Sequence, residues 1–322
     1  MTKPLISVVS PVYNEALVVV ELMERLGKVA DELRDRFEFE FILVDDGSRD
    51  DSVAVIKSIL GRESRLRLLE LRRNYGQTSA LQAGLDAARG DFVVTLDSDL
   101  QHLPEEIPQF LAKLEEGYDM VCGWRRNRVE GLIRRWPSQA ANWLLRVITA
   151  LPFHDFGTTF RAYRRDSIKD LRLYGEFHRF IPALAHDLGA RITEIPITNV
   201  LRRTGRSNYG IGRTVGVFLD LIVLLFFIRY LDRPMRAFGK LGLLCAFIGI
   251  TIIIFLMVMA HIFDVAMFKE RPGWLLLGVM LILTSVQLFV AGILGEILIR
   301  IHYGQGDRRV YRIRGSWNSQ SK

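Results

Sequence analysis

A chain of 322 residues with 49% hydrophobic side chains can bury one full-sized domain and still leave apolar sequence over. Its formal charge of +7 could suit nucleic acid, but the excess lies in Arg125-Arg126-Asn127-Arg128, Arg134-Arg135, Arg202-Arg203 and the tail after Arg300. Basic residues beside apolar runs favour anionic lipid headgroups and argue against a nucleic-acid partner.

Residues 5–10 read as a first strand, and Asn14-Glu15 opens a helix to about Arg36, with Leu22, Leu26, Val29 and Leu33 at helical spacing. Residues 39–44 form a second strand, 50–60 a helix, 67–71 a third strand, 78–88 a helix, and Gly90-Asp91 turns into a fourth strand ending at Asp97. The strands are continuous apolar runs, as in a buried parallel sheet, and their alternation with helices specifies an α/β fold covered on both faces. Beyond Asp99, Pro104 starts a helix, 119–123 is a strand, 138–151 an amphipathic helix, 192–196 a late strand and 202–210 a polar loop.

Residues 217–228 are apolar, too short to span a bilayer, and carry Asp220. They read as an interfacial helix, with an ordinary core helix as the alternative. Residues 241–263 and 274–299 are each long enough to cross a membrane, which takes roughly 20 residues. A short connection makes them an antiparallel hairpin. Arg229, Arg233, Arg236 and Lys240 precede it, and Arg300, Arg308, Arg309, Arg312 and Arg314 follow. The positive-inside rule then puts the sheet domain and both termini in the cytoplasm. The expected division is a sheet domain over 1–212, juxtamembrane helices over 213–240, two transmembrane helices over 241–300, and a tail over 301–322 in which Val310 to Arg314 alternates like a strand. Only Cys122 and Cys245 occur, so no disulfide framework is expected, and residues 1–3 lead into a strand rather than a secretion signal.

Two acidic clusters carry the chemistry. Asp45-Asp46-Gly47-Ser48 follows the second strand and Asp97-Ser98-Asp99 the fourth. Ligands of open α/β sheets bind outside the carboxyl ends of strands. Carboxylates placed there suit Mg²⁺ or Mn²⁺ holding a phosphate ester, which points to a nucleoside-diphosphate substrate. Pro11-Val12-Tyr13-Asn14-Glu15 ends the first strand at the same edge, where an aromatic ring and a carboxylate could hold a base.

These segments, with Arg73-Asn74-Tyr75-Gly76-Gln77, Leu96-Asp97-Ser98-Asp99-Leu100-Gln101, Gly157-Thr158-Thr159-Phe160-Arg161, Glu176-Phe177-His178-Arg179-Phe180-Ile181-Pro182 and Arg202-Arg203-Thr204-Gly205-Arg206-Ser207-Asn208-Tyr209, resemble the GT-A family 2 glycosyltransferases. The branch they resemble is the polyprenol-phosphate one, which takes in dolichol-phosphate mannose synthases, bactoprenol glucosyltransferases and undecaprenyl-phosphate formamido-arabinose transferases. The resemblance covers nearly the whole chain. It implies a Rossmann-like GT-A domain followed by an interfacial helix and a transmembrane hairpin. It also implies an inverting transfer of one sugar from a nucleotide-sugar, a UDP-sugar by the layout, to polyprenyl (undecaprenyl) phosphate, at a bacterial inner membrane and for cell-envelope glycan or lipid modification. GDP-mannose remains the alternative donor.

By the same resemblance, Pro11, Tyr13, Glu15, Asp45 and Asp46 hold the nucleotide, and Asp97, Asp99 and Gln101 the metal and diphosphate. Arg125 lies near the phosphates. Arg202 and Ser207 grip donor diphosphate and acceptor phosphate, with Arg203 and Asn208 beside them. Asn208 departs from the Lys of many relatives, so Arg203 or Arg206 would supply the missing cation. The acceptor phosphate is ionised at pH 7, so no strong general base is needed; His178 could touch the sugar or acceptor, but an isolated His is more often a structural hydrogen-bonder, and that is the expectation here. In relatives the tail can pack on a neighbouring subunit, which implies a homo-oligomer such as a tetramer.

Other classes fit less well. A processive synthase needs a Q-x-x-R-W motif, and Leu132 stands where its Gln would precede Arg135-Trp136. Intact Asp97, Asp99 and Gln101 argue against a non-catalytic nucleotide-binding scaffold, and 11–15 is not the Gly-rich loop of a nucleotidyltransferase.

Overall fold

The computed structural model describes residues 3–126, 153–155, 157–168, 173, 177–187, 189–200, 234–263, 271–304 and 313–318. The expected helix over 138–151, the polar loop over 202–210 and the interfacial helix over 217–228 lie outside these residues. The chain forms two units, Met1–Leu221 with Arg309–Lys322, and Ile222–Arg308.

The first unit is built on an eight-stranded sheet. Its strands are β1 (Leu5–Val12), β2 (Glu38–Asp45), β3 (Leu66–Leu71), β4 (Phe92–Thr95), β5 (Met120–Arg125), β6 (Arg161–Arg164), β7 (Ile192–Ile197) and β8 (Ile313–Asn318), in the order β7-β5-β6-β4-β1-β2-β3-β8. All neighbours pair in parallel except β6 with β4 and β5, and β8 with β3. Helices α1 (Val19–Glu32), α2 (Ser52–Leu60), α3 (Gln77–Ala87) and α4 (Ile107–Glu115) cross over between the parallel strands. Leu22 and Leu26 of α1 and Phe110 of α4 bury against Ile6, Val8, Val94 and Phe160. On α3, Gly84 lets the helix close onto the sheet: a side chain there would collide with Val9.

Three details differ from the sequence expectations. Helix α1 starts at Val19, not at Asn14, because Asn14 takes the left-handed conformation (φ 56°) and belongs to a loop. Strand β6 was not expected; its sequence, Arg-Ala-Tyr-Arg, begins with a cation that turns out to be buried. The tail strand runs over Ile313–Asn318, later than the expected alternation, and adds to β3 of its own chain. There Lys57 Nζ stands 3.6 Å above the Trp317 ring.

The second unit is a hairpin of α6 (Pro234–Phe263) and α7 (Pro272–Gly304); α5 (Ile181–Asp187) belongs to the first unit. Within them Met235–Ile262 (28 residues) and Pro272–Leu298 (27 residues) are long and apolar enough to cross a membrane. Their large apolar side chains face outward, with Phe247 70% and Leu298 64% exposed, the reverse of a soluble core helix. The inner faces meet through small residues: a Cβ on Gly249 would lie 2.8 Å from Gly278 O, and one on Gly242 3.3 Å from Ser285 O. Close packing by small residues is how helices associate where no hydrophobic effect drives them together.

Candidate active site

The carboxyl ends of β4, β1 and β2 form one edge. Val9 pairs with Thr95 and Val12 with Asp45, so the segments 11–15, 45–48 and 97–101 lie side by side. Asp45 and Asp97 stand two strands apart, roughly 10 Å by the usual interstrand spacing.

The first two segments are stitched together. Asp46 N donates to Val12 O (2.8 Å), Asn14 N to Ser48 Oγ (3.0 Å), Arg49 N to Asn14 Oδ1 (2.8 Å) and Glu15 N to Ser52 Oγ (2.9 Å). This leaves Pro11 half-buried at the end of β1, Tyr13 40% exposed and Glu15 buried.

Asp45 and Asp46 are adjacent and both buried, yet they are used differently. Asp45 Oδ2 accepts from Gly47 N (3.0 Å) and Ser48 N (3.1 Å), while its Oδ1 is buried without a hydrogen-bond partner among the described residues. Asp46 spends both oxygens on the backbone ahead of α3, accepting from Tyr75 N (2.7 Å) and Gly76 N (2.9 Å). Burial raises both carboxyls above the usual range; the Ser48 side chain and then the Ser48 and Gly47 amides pull Asp45 partly back, and the Tyr75 and Gly76 amides do so for Asp46. Gly47, at φ 71°, closes the same contact: a Cβ there would lie 2.5 Å from Arg73 C and 2.6 Å from Asn74 N. Asp46 therefore acts in this structure as the fastener of the loop over 73–76.

That loop delivers α3 to the second cluster. Gln77 Nε2 donates to Asp97 Oδ1 (2.7 Å). Burial raises the Asp97 carboxyl, and the nearby Arg125 and Arg161 guanidiniums and the Gln77 bond lower it. Two residues on, Asp99 Oδ1 accepts from Gln101 N (3.1 Å) across Leu100, whose φ of 55° is strained for a residue with a side chain. Asp97, Asp99 and Gln101 are each half-buried at the rim. Among the described residues no group of three His, Cys, Asp or Glu side chains could hold a metal by itself. Two carboxylates and an amide oxygen instead fit a hard divalent cation that takes its remaining ligands from phosphate.

Arg125, at the end of β5, forms a two-pronged ion pair with Asp155: Nε donates to Oδ2 (2.7 Å) and Nη2 to Oδ1 (3.1 Å), and Asp155 is 2% exposed. Glu194 of β7 fixes the adjoining chain by accepting from His154 N and Asp155 N. On β6, Arg161 is 1% exposed and its Nη1 donates to His178 O (2.6 Å), while His178 Nδ1 bonds Thr78 Oγ1 (2.7 Å). His178 thus ties α3 to β6, the structural part expected of it. Buried His102 lies over Phe160 (5.8 Å between ring centres). Burial, then Arg125, pushes it down to about 4, so it is neutral at physiological pH. Its Nδ1 has no hydrogen-bond partner among the described residues.

Of the expected residues, the structure gathers Pro11, Tyr13, Glu15, Asp45, Asp46, Asp97, Asp99 and Gln101 at one edge and puts Arg125 on β5 within electrostatic reach of Asp97. Arg202, Arg203, Ser207 and Asn208 lie outside the described residues. Val200, two residues before Arg202, donates its N–H to Gln101 O (3.0 Å). Gln77, Thr78, His102, Asp155 and Arg161 had drawn no site assignment from sequence. Gln77 and Arg161 stand inside the quoted motifs and His102 directly after one, which was the available signal; Asp155 gave none, since burial of a charge is not visible in composition.

A mostly parallel sheet with an antiparallel β6 and paired carboxylates at its rim is a GT-A-like fold. Structures of glucosyl-3-phosphoglycerate synthase from Mycobacterium tuberculosis share it; the complex with Mn²⁺, uridine diphosphate and glucosyl-3-phosphoglycerate superposes with a TM-score of 0.53 at 22% identity, over 70% of this chain and 80% of that one. The sequence model of glycosyl transferase family 2 matches residues 7–172. Dodecaprenyl-phosphate galacturonate synthase of Rhizobium johnstonii is 41% identical over 98% of this chain and 94% of its own. Undecaprenyl-phosphate 4-deoxy-4-formamido-L-arabinose transferase of Pseudomonas fluorescens is 37% identical, over 92% and 86%. The chain belongs to glycosyltransferase family 2 and is a glycosyltransferase.

Proposed function

We propose that this enzyme transfers one sugar from a UDP-sugar to polyprenyl phosphate, inverting the anomeric configuration, while held at the cytoplasmic face of a bacterial inner membrane by its C-terminal hairpin. The acceptor class is supported by the names of its relatives, both polyprenyl-phosphate sugar transferases similar over almost the whole chain. The observation that carries the donor class is the buried, unpartnered Oδ1 of Asp45, standing two strands from Asp97. Uracil offers a single imide N–H along its edge, which one free acceptor satisfies. Guanine presents two donors side by side and would need both carboxylate oxygens, but Asp45 Oδ2 already serves Gly47 and Ser48. Exposed Tyr13 is positioned to cover the base and Glu15 to bound its pocket.

The diphosphate then reaches the rim at Asp97, Asp99 and Gln101, the residues that would hold Mg²⁺ or Mn²⁺. When bound, such an ion supplies charge stabilisation to the leaving diphosphate. Arg125 adds a cation on the β5 side, and its pairing with Asp155 fixes the guanidinium before substrate arrives. Arg202, Arg203, Ser207 and Asn208 grip donor diphosphate and acceptor phosphate; the bond from Val200 to Gln101 supports this by starting their segment beside the rim. The acceptor phosphate is an anion at neutral pH, so alignment replaces a general base.

The test is a donor panel: full-length protein, undecaprenyl phosphate, Mg²⁺ or Mn²⁺, and separate UDP-galacturonate, UDP-glucose, UDP-4-formamido-arabinose and GDP-mannose, scored as label entering the lipid phase. Label from one UDP-sugar, abolished by Asp99→Asn, is the expected outcome. Label from GDP-mannose alone would overturn the donor assignment, and nucleotide release without lipid labelling would overturn the acceptor.

A further inference from the structure

The face of α7 turned away from α6 carries one feature that a membrane span does not tolerate alone. Gly278, Ser285 and Gly292 line the inner face, against Gly249, Gly242 and Met235. At about 100° per residue, Gln287 stands roughly 180° round the helix from Gly278. The same outer stripe holds Met280, Leu283, Leu294 and Leu298, all exposed and all apolar. Gln287 is exposed among them.

Its depth excludes an escape to water. Within Pro272–Leu298, Gln287 lies roughly 22 Å along the axis from the first residue and roughly 17 Å from the last. Elsewhere in the hairpin the exposed hydroxyl of Thr251 satisfies itself by donating to Phe247 O (2.7 Å). The Gln287 amide, which has two donor hydrogens and a carbonyl acceptor, has no partner among the described residues. In hydrocarbon such a group is costly until another polar group meets it.

We infer that the outer face of α7 is a self-association surface, on which Gln287 bonds the same residue of a second copy of this chain. Copies inserted with one topology carry Gln287 at the same depth, so a two-fold axis along the membrane normal brings the two amides together. Each can then donate to the other's carbonyl. The amide is complementary to itself, and the flanking Met280, Leu283 and Leu294 give the pair an apolar surround that excludes competing headgroups. This rests on the reading of the hairpin as a membrane anchor, and it identifies the surface through which the anchor assembles.

Full-length protein is reconstituted in phosphatidylcholine–phosphatidylglycerol vesicles as two fluorescently labelled populations, and energy transfer is followed as the protein-to-lipid ratio falls. Resistance to alkaline carbonate extraction is scored on the same vesicles. With two interhelical bonds lost, Gln287→Leu is expected to weaken association roughly tenfold. Gln287→Asn, which keeps an amide, should retain most of it, and Met280→Leu should match the wild type. Equal transfer for Gln287→Leu and wild type in carbonate-resistant vesicles would overturn the inference while leaving the anchor intact. A change in apparent acceptor KM for Gln287→Leu at unchanged association would overturn it in favour of a lipid contact. Release of the wild type by carbonate would instead remove the membrane reading, and the inference with it.

Discussion

Asp45 and Asp46 make a paired test, because the same substitution in adjacent residues should produce opposite results. In Asp45→Asn the amide carbonyl can still accept from Gly47 N and Ser48 N, and a carboxylate whose burial is unfavourable is removed. Stability should therefore stay within about 1 kcal/mol of wild type. The amide NH₂ now occupies the place of the unpartnered Oδ1 and faces the imide N–H of the base, donor against donor. A hydrogen bond to a charged acceptor is worth about 1.5–3 kcal/mol, so UDP affinity should fall roughly 10- to 150-fold. In Asp46→Asn one of the Tyr75 and Gly76 amides keeps its acceptor and the other meets an NH₂ group. That should cost about 2–3 kcal/mol of stability, seen as a lower melting temperature, with UDP affinity reduced only as far as the loop over 73–76 opens. Calorimetric titration of UDP and GDP, alongside thermal melting of the same solubilised full-length proteins, separates the two. Wild-type UDP affinity in Asp45→Asn would refute the reasoning, as would GDP binding the wild type as tightly as UDP.

Two other outcomes follow from buried charge. The folded-state value of His102, about 4, lies below its ordinary 6.5, so the unfolded chain binds that proton more tightly. Stability contributed by neutral His102 should thus be present above pH 6.5 and fall by about 3 kcal/mol on acidification towards pH 4. Melting curves in EDTA should be flatter across that window for His102→Gln; an unchanged slope would refute the assignment. Arg125→Met should leave Asp155 charged and buried beside Gly157 N, costing about 3–5 kcal/mol, and adding Asp155→Asn should restore part of it. A double-mutant cycle in which the two losses simply add would show that the pair is not coupled.

The periodicity of the chain determined which residues are strands, helices and apolar spans, because continuous apolar runs and helical spacing follow directly from what must be buried. It also fixed the rim residues Asp45, Asp97 and Asp99, since a carboxylate at the end of a buried run has few places to go. Two things it could not supply. Strand β6 is four residues long and carries a buried arginine, so its local sequence looks like surface, and only its insertion between β4 and β5 makes it a strand. The different duties of Asp45 and Asp46 depend on which oxygen meets which amide, and those amides belong to a loop almost 30 residues away. Likewise, composition made α7 a candidate membrane span, but only the packing of Gly278, Ser285 and Gly292 against α6 decided that Gln287 faces outward. Burial tendencies are local and can be read along a chain; the partners that satisfy a buried polar group are set by distant segments, so tertiary structure decides them.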